Sequence, residues 1–350
     1  MQHDGAVATD TFWSGPLDYH LPEELIAQQP EADRAGSRLM IVDRRHGTIR
    51  HARFPDITMA LSPGDRIVLN DTRVFPARLR GRKTSGGRVE VLLLAPGDTP
   101  VPAIVRTSKP LREGQSIEFP GARCATVHGP VVGGRCGLDF GDVDVLQLLT
   151  DIGEIPLPPY IVRPSGPSRE DRERYQTVYA RHDGSVAAPT AGMHFTQELL
   201  ATLESRQIDF TSVTLHVGPG TFTPVRGSVA DHRMEREMCY VSGDAVGAIQ
   251  ATRRRGGKAV AIGTTTVRAL ESAAAGGALS SFHGPTDMFI KPGHEFRAVD
   301  ALVTNFHLPG STLLCLVMAF AGTELIRRAY EAAVTERYRF YSYGDAMLVL

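Results

Sequence analysis

At 350 residues the chain can hold two domains and bury a sizeable core. Its net charge of −1 excludes a globally basic nucleic-acid binder, so any RNA or DNA surface must be a local patch. The four cysteines (Cys124, Cys136, Cys239, Cys315) form no C-x-x-C pair, which argues against a disulfide framework or cysteine zinc site and fits reduced thiols in a cytoplasmic protein.

Residues 1–15 have neither the basic region nor the apolar stretch of a secretion signal and are expected to be a flexible tail. Pro22 opens a short predicted helix, PEELIAQQ, and LMIVD (39–43) and TIRHARF (48–54) read as strands joined by RRHG. From 65 to 149 the pattern changes to short alternating segments: RIVLN, ARLRGRK, RVEVLLL, AIVRT, SIEF, CATVH and CGLDF. Turn signals such as SGG, APGD and FPGA separate them. Evenly spaced strands without helices predict a small antiparallel β-barrel or sandwich, closed off by the helix VDVLQLLTDIG. PLPPYIVRP (156–164) reads as a rigid connector.

The remainder alternates. Helices are predicted at 169–180, 196–206, 243–255, 266–275, 311–321 and 324–337. Strands are predicted at 208–217, 236–241, 258–263, 286–290, 298–304 and 345–350. The expected fold is α/β: a larger domain (16–64 and 150–350) with a mostly parallel, partly TIM-barrel-like sheet, and an inserted β-barrel domain at 65–149. The longest apolar run, Thr312 to Ala321, is half the ~20 residues that span a bilayer, so a buried helix is expected and no membrane association.

Three apolar strands end in polar clusters: FTSVTLHV before GPGTF, KAVAI before GTTTVRALE, and ALVT before NFHLPGST. On α/β folds ligands bind where strands end and helices begin, so these ends predict one site on one sheet edge. His216 is either a satisfied core histidine or a site residue beside the Gly218 and Gly220 turn. Thr264, Thr265 and Thr266 open a helix whose free N–H groups suit an anion. Arg268, a cation in that first turn, calls for a ligand anion or for an ion pair with Glu271. Asn305 and His307 lead into a nearly all-apolar helix and need partners. SVAAPTAGMHF brings Thr190, Gly192, His194 and Phe195 to a loop that is either a tight turn or a ligand contact. YRFYSYGDAM, with Tyr343 and Asp345, is either an aromatic seam or a stacking surface. Between Arg73 and Arg112 nine basic residues face two acidic ones. Alternation places Arg78, Arg80 and Arg82 on one strand face, which with Arg73 and Lys83 suits a phosphate backbone or a solvated edge. H-E-x-x-H, P-loop, G-x-G-x-x-G and nucleophile-elbow motifs are lacking, and the scattered histidines argue against a metal site.

Taken in order, LNDTRVFPARLRGRKTSGGRVEVLL, EIPLPPYI, YQTVYA, GSVAAPTAGMHF, VTLHVGPGTFTPVR, AIGTTTVRALESA, ALVTNFHLPGSTLL and YRFYSYGDAM closely resemble the QueA family. That family comprises the S-adenosylmethionine:tRNA ribosyltransferase-isomerases of queuosine biosynthesis. The resemblance implies a reaction on a tRNA carrying 7-aminomethyl-7-deazaguanine at the wobble position. The ribosyl part of S-adenosylmethionine is transferred and isomerised, and adenine and methionine leave. It also implies that S-adenosylmethionine is consumed as co-substrate, with no permanently bound cofactor.

The expected roles follow from that chemistry. His194, His216 and His307 are candidates for proton transfer, with Asp345 or Glu271 as orienting partners. Arg268 and the 264–266 helix start would bind a carboxylate or phosphate. Tyr343 or Phe195 would face the sulfonium. Arg73, Arg78, Arg80, Arg82 and Lys83 would touch tRNA. The protein is expected to be monomeric, with His216, Arg268 and His307 converging on one nucleoside. A related enzyme with another acceptor, or a non-catalytic RNA-binding protein, are the competing readings.

Overall fold

The computed structural model describes residues 18–97, 99–222, 225, 229 and 231–350; the tail expected at 1–15 lies outside them. Among these residues, nine strands form the main sheet. In spatial order they are β15 (Phe282–Thr286), β13 (Glu237–Val241), β12 (Asp209–Leu215), β3 (Arg66–Asn70), β14 (Ala259–Ile262), β16 (Ala301–Asn305), β17 (Ala346–Val349), β1 (Arg38–Asp43) and β2 (Thr48–Arg53). Four junctions are parallel and four antiparallel, so the sheet is mixed rather than mostly parallel. The central run β12-β3-β14-β16 is wholly parallel. Its strands are apolar on consecutive residues because both sheet faces are covered, as β14 and β16, buried throughout, illustrate.

Helices α1 (Ile57–Ala60) and α4 (Gln197–Ser205) accompany one core cluster, built on Leu39, Phe54, Phe195 and Ile262. A second cluster gathers α5 (Gly243–Arg254), α6 (Thr264–Ala273), α7 (Thr312–Ala321) and α8 (Thr323–Thr335). The apolar run 312–321 is a buried helix of this core, capped by the Ser311 hydroxyl accepting from Leu314 N–H. No helix among the described residues is long and apolar enough to cross a membrane.

The β-barrel closes in the order β10 (Arg135–Asp139), β7 (Val101–Thr107), β6 (Arg88–Leu93), β5 (Arg78–Lys83), β8 (Ser116–Phe119), β9 (Arg123–Val132). Strict alternation fills it: Leu79, Val89, Val91, Leu93, Ala103, Val105, Ile117 and Val127 point inward, and α2 (Val145–Ile152) adds Leu148 and Leu149. Gly81 faces this interior, where a Cβ would stand 2.7 Å from the Glu118 carbonyl oxygen. RIVLN, expected within the barrel block, is instead β3 at the centre of the main sheet. A parallel pair, β4 (Thr72–Val74) and β11 (His182–Ser185), links the two units, and the short α3 (Arg169–Arg174) precedes β11 in the chain.

Other boundaries also differ. PEELIAQQ yields only a single 3-10 turn (Glu23–Leu25), because Ile26 then bridges to Phe340. The helix expected over 169–180 ends at Arg174. The strand expected at 286–290 lies at Phe282–Thr286, on the sheet edge, where Pro285 is tolerated.

Candidate active site

Because β12, β3, β14 and β16 are parallel neighbours, their carboxyl ends share one sheet edge. The three polar strand ends read from the sequence are there, and β3 adds a fourth, Asn70-Asp71-Thr72. Three hydrogen-bond networks occupy this edge.

The first joins β3 to β12. Asn70 is fully buried and uses its whole amide. Nδ2 donates to the Leu215 carbonyl (3.0 Å) and Thr265 Oγ1 (3.2 Å), while Oδ1 accepts from Leu215 N–H (3.0 Å) and Thr72 N–H (3.3 Å). Thr72 Oγ1 lies 2.8 Å from His216 Nδ1 and donates to the His182 carbonyl at 3.5 Å. A hydroxyl donating to that carbonyl accepts from Nδ1–H, which leaves the lone pair on Nε2. Nε2 has no hydrogen-bond partner among the described residues. Burial lowers the His216 pKa, His182 adds to the effect, and Asp71 and Asp183 oppose it. The imidazole is therefore neutral near pH 7. Gly184 makes room for the ring: a Cβ there would lie 2.8 Å from it.

The second network lies under the turn that leaves β12. Arg268, on α6, pairs through Nη1 with Glu237 of β13, and both side chains are almost entirely buried. Arg268 Nε donates to the Met288 carbonyl at 3.0 Å, whereas its Nη2 is buried without a partner among the described residues. Glu237 Oε1 also accepts from Gly218 N–H and Thr221 Oγ1–H, each at 2.8 Å. Glu237 thus answers the question raised by a cation in a first helical turn. Glu271 does not pair with Arg268. It accepts from Arg297 N–H and Ala298 N–H and meets His294, anchoring that loop. Gly263 begins α6 at φ +89°, and Thr266 Oγ1 donates back to Ile262 O at 2.6 Å.

The third network gathers around β16. Thr190 Oγ1 donates to Asn305 Oδ1 (3.0 Å), and Asn305 Nδ2 reaches the Tyr341 carbonyl (3.1 Å) and His194 Nε2 (3.2 Å). His194 Nδ1 contacts Ser37 Oγ at 2.8 Å, so both ring nitrogens are taken. His307 Nε2 meets Thr304 Oγ1 at 2.8 Å, and the His307 backbone N–H donates to the Tyr330 hydroxyl at 3.0 Å. Burial pushes His194 and His307 each down to about 3. Asp345 accepts from Arg38 N–H and Arg339 N–H, one per oxygen, at 2.8 Å. It clamps backbone rather than facing a histidine.

Several expectations are corrected by these contacts. His216 and Arg268 both adjoin the exit of β12, but His307 belongs to the β16 network and shares no hydrogen-bond partner with either. Phe195 is a fully buried core ring, edge-on to Phe54, and does not present a face to a ligand. The Tyr343 hydroxyl donates to Asp171 Oδ1 at 3.1 Å, beside the Arg163–Asp171 pair. On the barrel, Arg80 holds both oxygens of Glu154 and Arg78 donates to the Leu157 carbonyl, so these two arginines fasten the barrel to the connector. Arg73 and Arg82 remain exposed, each spending one N–H on a carbonyl, and Lys83 reaches the Lys109 carbonyl. The sequence reading missed Asn70, Thr72 and Glu237. The run NDT after an apolar strand was a usable signal, hidden by assigning that strand to the barrel.

Parallel strands deliver a neutral histidine and a buried arginine to one edge of a mixed α/β sheet that carries an appended β-barrel. The chain belongs to the family described as queuosine biosynthesis protein, matched over residues 15–349. A protein of Anaeromyxobacter sp. (strain Fw109-5) named S-adenosylmethionine:tRNA ribosyltransferase-isomerase is 53% identical over 343 residues, covering 95% of this chain and 97% of that one. One of the same name from Pelobacter propionicus is 51% identical, covering 95% and 98%. The crystal structure of S-adenosylmethionine tRNA ribosyltransferase from Thermotoga maritima aligns with a TM-score of 0.56 at 36% identity, covering 96% of this chain and all of that one.

Proposed function

We propose that this chain moves and isomerises the ribosyl moiety of S-adenosylmethionine onto 7-aminomethyl-7-deazaguanine at the wobble position of tRNA, giving epoxyqueuosine-tRNA with release of adenine and methionine. Membership of the family over nearly the whole length carries this reading. S-adenosylmethionine is the co-substrate, and action on tRNA fits a cytoplasmic protein working as a monomer.

His216 is the general base in this proposal. Its Nε2 is unengaged and its ring is only half-buried, whereas His194 has both ring nitrogens engaged, and burial makes both His194 and His307 hold protons poorly. Thr72 fixes the tautomer that leaves Nε2 basic. The proton it would take is on the carbon beside the sulfonium, made acidic by the adjacent positive charge. Arg268 offers its unpartnered Nη2 to the methionine carboxylate, aided by the N–H groups that open α6 at Thr264 and Thr265. Thr190, Gly192, Gly218, Gly220, Thr266 and Asn305 shape the walls. Arg73, Arg82 and Lys83 meet tRNA phosphates, while Arg78 and Arg80 hold the barrel in place.

The test is incubation with S-adenosylmethionine and tRNA bearing the aminomethyl-deazaguanine, followed by nucleoside mass analysis. Epoxyqueuosine and free adenine are expected. Adenine release without tRNA modification would point to another acceptor, and neither product would refute the reading.

A further inference from the structure

The run YQTVYA (175–180) takes no part in the chemistry above, yet it concentrates an anomaly. Six buried side-chain polar atoms among the described residues lack a hydrogen-bond partner, and three are the hydroxyls of Tyr175, Thr177 and Tyr179. Tyr175 has Ser342 and the Ala188 backbone beside it. Thr177 Oγ1 and Tyr179 Oη have no hydrogen-bond partner among the described residues. A buried hydroxyl left unpaired costs roughly 1–3 kcal/mol, and Val or Phe would occupy the same space without that cost. The run is not loosely placed. Gln176 exchanges hydrogen bonds with the Val74 backbone in both directions, Gln197 holds the Val178 carbonyl, and Arg181 N–H donates to the Asp71 carbonyl.

The Tyr179 hydroxyl and the Thr177 methyl both pack over Gly192. An ideal Cβ at Gly192 would stand 1.9 Å from Tyr179 Oη and 2.9 Å from Thr177 Cγ2. The tyrosine hydroxyl therefore occupies the space that any other residue at 192 would fill. The neighbouring Ala191 lies beside Gly263, where β14 turns into α6 and a Cβ would stand 3.7 Å from that of Ala191, and Thr190 bonds Asn305 at the end of β16. Burial raises the Tyr179 pKa, and the Asp71 carboxylate, just past the end of β3, adds to that rise. The pair is thus held between the β3 and β16 ends of the polar edge.

We infer that Thr177 and Tyr179 form a neutral hydrogen-bonding subsite for the hydroxyl and nitrogen groups of a bound nucleoside. A hydroxyl can both donate and accept, which matches ribose hydroxyls and base edges. The nearby Asp71 carboxylate disfavours a phosphate. The inference rests on the reading above that the substrates are nucleosides, and it adds which residues recognise them. Two nucleosides carry this chemistry, the adenosine of S-adenosylmethionine and the wobble nucleoside of tRNA.

The experiment compares wild type with Tyr179→Phe, Thr177→Val and the double variant. It measures thermal midpoint and kcat/KM for each substrate with the other saturating. Removing an unpaired hydroxyl should leave the midpoint unchanged or higher, while kcat/KM falls at least tenfold for one substrate. A fall confined to S-adenosylmethionine assigns the subsite to its adenosine, and a fall confined to tRNA assigns it to the wobble nucleoside. Values within twofold of wild type for both substrates would overturn the inference. So would a midpoint lowered by several degrees, since that would reveal a protein partner for the hydroxyl. Failure of wild type to modify tRNA would instead sink the reading on which the inference rests.

Discussion

Replacing Glu237 by Gln should be among the most destabilising single changes in the main domain. Its partner Arg268 is 2% exposed and Glu237 itself 4%, which places the pair in the buried regime. An exposed pair would contribute about 0–1 kcal/mol. A guanidinium left unpaired in the interior costs about 3–5 kcal/mol. Glutamine keeps an acceptor for Gly218 N–H and Thr221, so the loss isolates the charge rather than the hydrogen bonds. Arg268→Met should cost a similar amount, and the double variant less than the two together, because neither charge is then orphaned. Equilibrium urea unfolding at pH 7, followed by far-ultraviolet circular dichroism, reads all three. A Glu237→Gln cost below about 1 kcal/mol, or strict additivity, would refute the reasoning.

The buried imidazoles make acid sensitivity a second test. His194 and His307 are held at about 3 in the fold against 6.5 unfolded, so the stability they carry is present above pH 6.5 and lost as pH falls toward 3. At pH 5 the loss is about 2 kcal/mol for each, and His307→Gln should flatten the stability slope between pH 7 and 5. An unchanged slope would show that His307 does not titrate this way. Thr72→Val should lower kcat by about tenfold or more with little change in KM, and Thr72→Ser should restore most of it; equal rates in all three would remove Thr72 as the group that orients His216. Neutralising Arg73, Arg82 and Lys83 together should weaken tRNA binding and reduce the slope of log K against log salt by about 2, with the KM for S-adenosylmethionine unaltered. A slope equal to wild type would move the tRNA surface elsewhere.

Much of the fold can be read from residue pattern because local rules and tertiary structure agree there. The barrel strands are short and bury alternate residues, as in Arg88–Leu93, and turns such as SGG, APGD and FPGA separate many of them. The carboxyl ends of β12, β14 and β16 are legible because an apolar run stops at a polar cluster. β3 is not, because RIVLN is as short as a barrel strand and its partners, Asp209–Val213 and Ala259–Ala261, are far along the chain. The site is legible only as a set of places. That Arg268 bonds Glu237 rather than Glu271 depends on β13 passing beside α6, which no spacing within GTTTVRALE encodes. Likewise Asp345 looks like a functional carboxylate in sequence but is spent on two backbone N–H groups.

Thr72 has two positions at once: its hydroxyl touches His216, and its backbone opens β4, the strand through which the chain departs for the barrel. On the return path β11 pairs with β4 and brings Gly184 against the same imidazole. Both segments that tie the barrel to the main sheet therefore lie against one ring, so a shift of the barrel relative to the sheet would be felt at that imidazole.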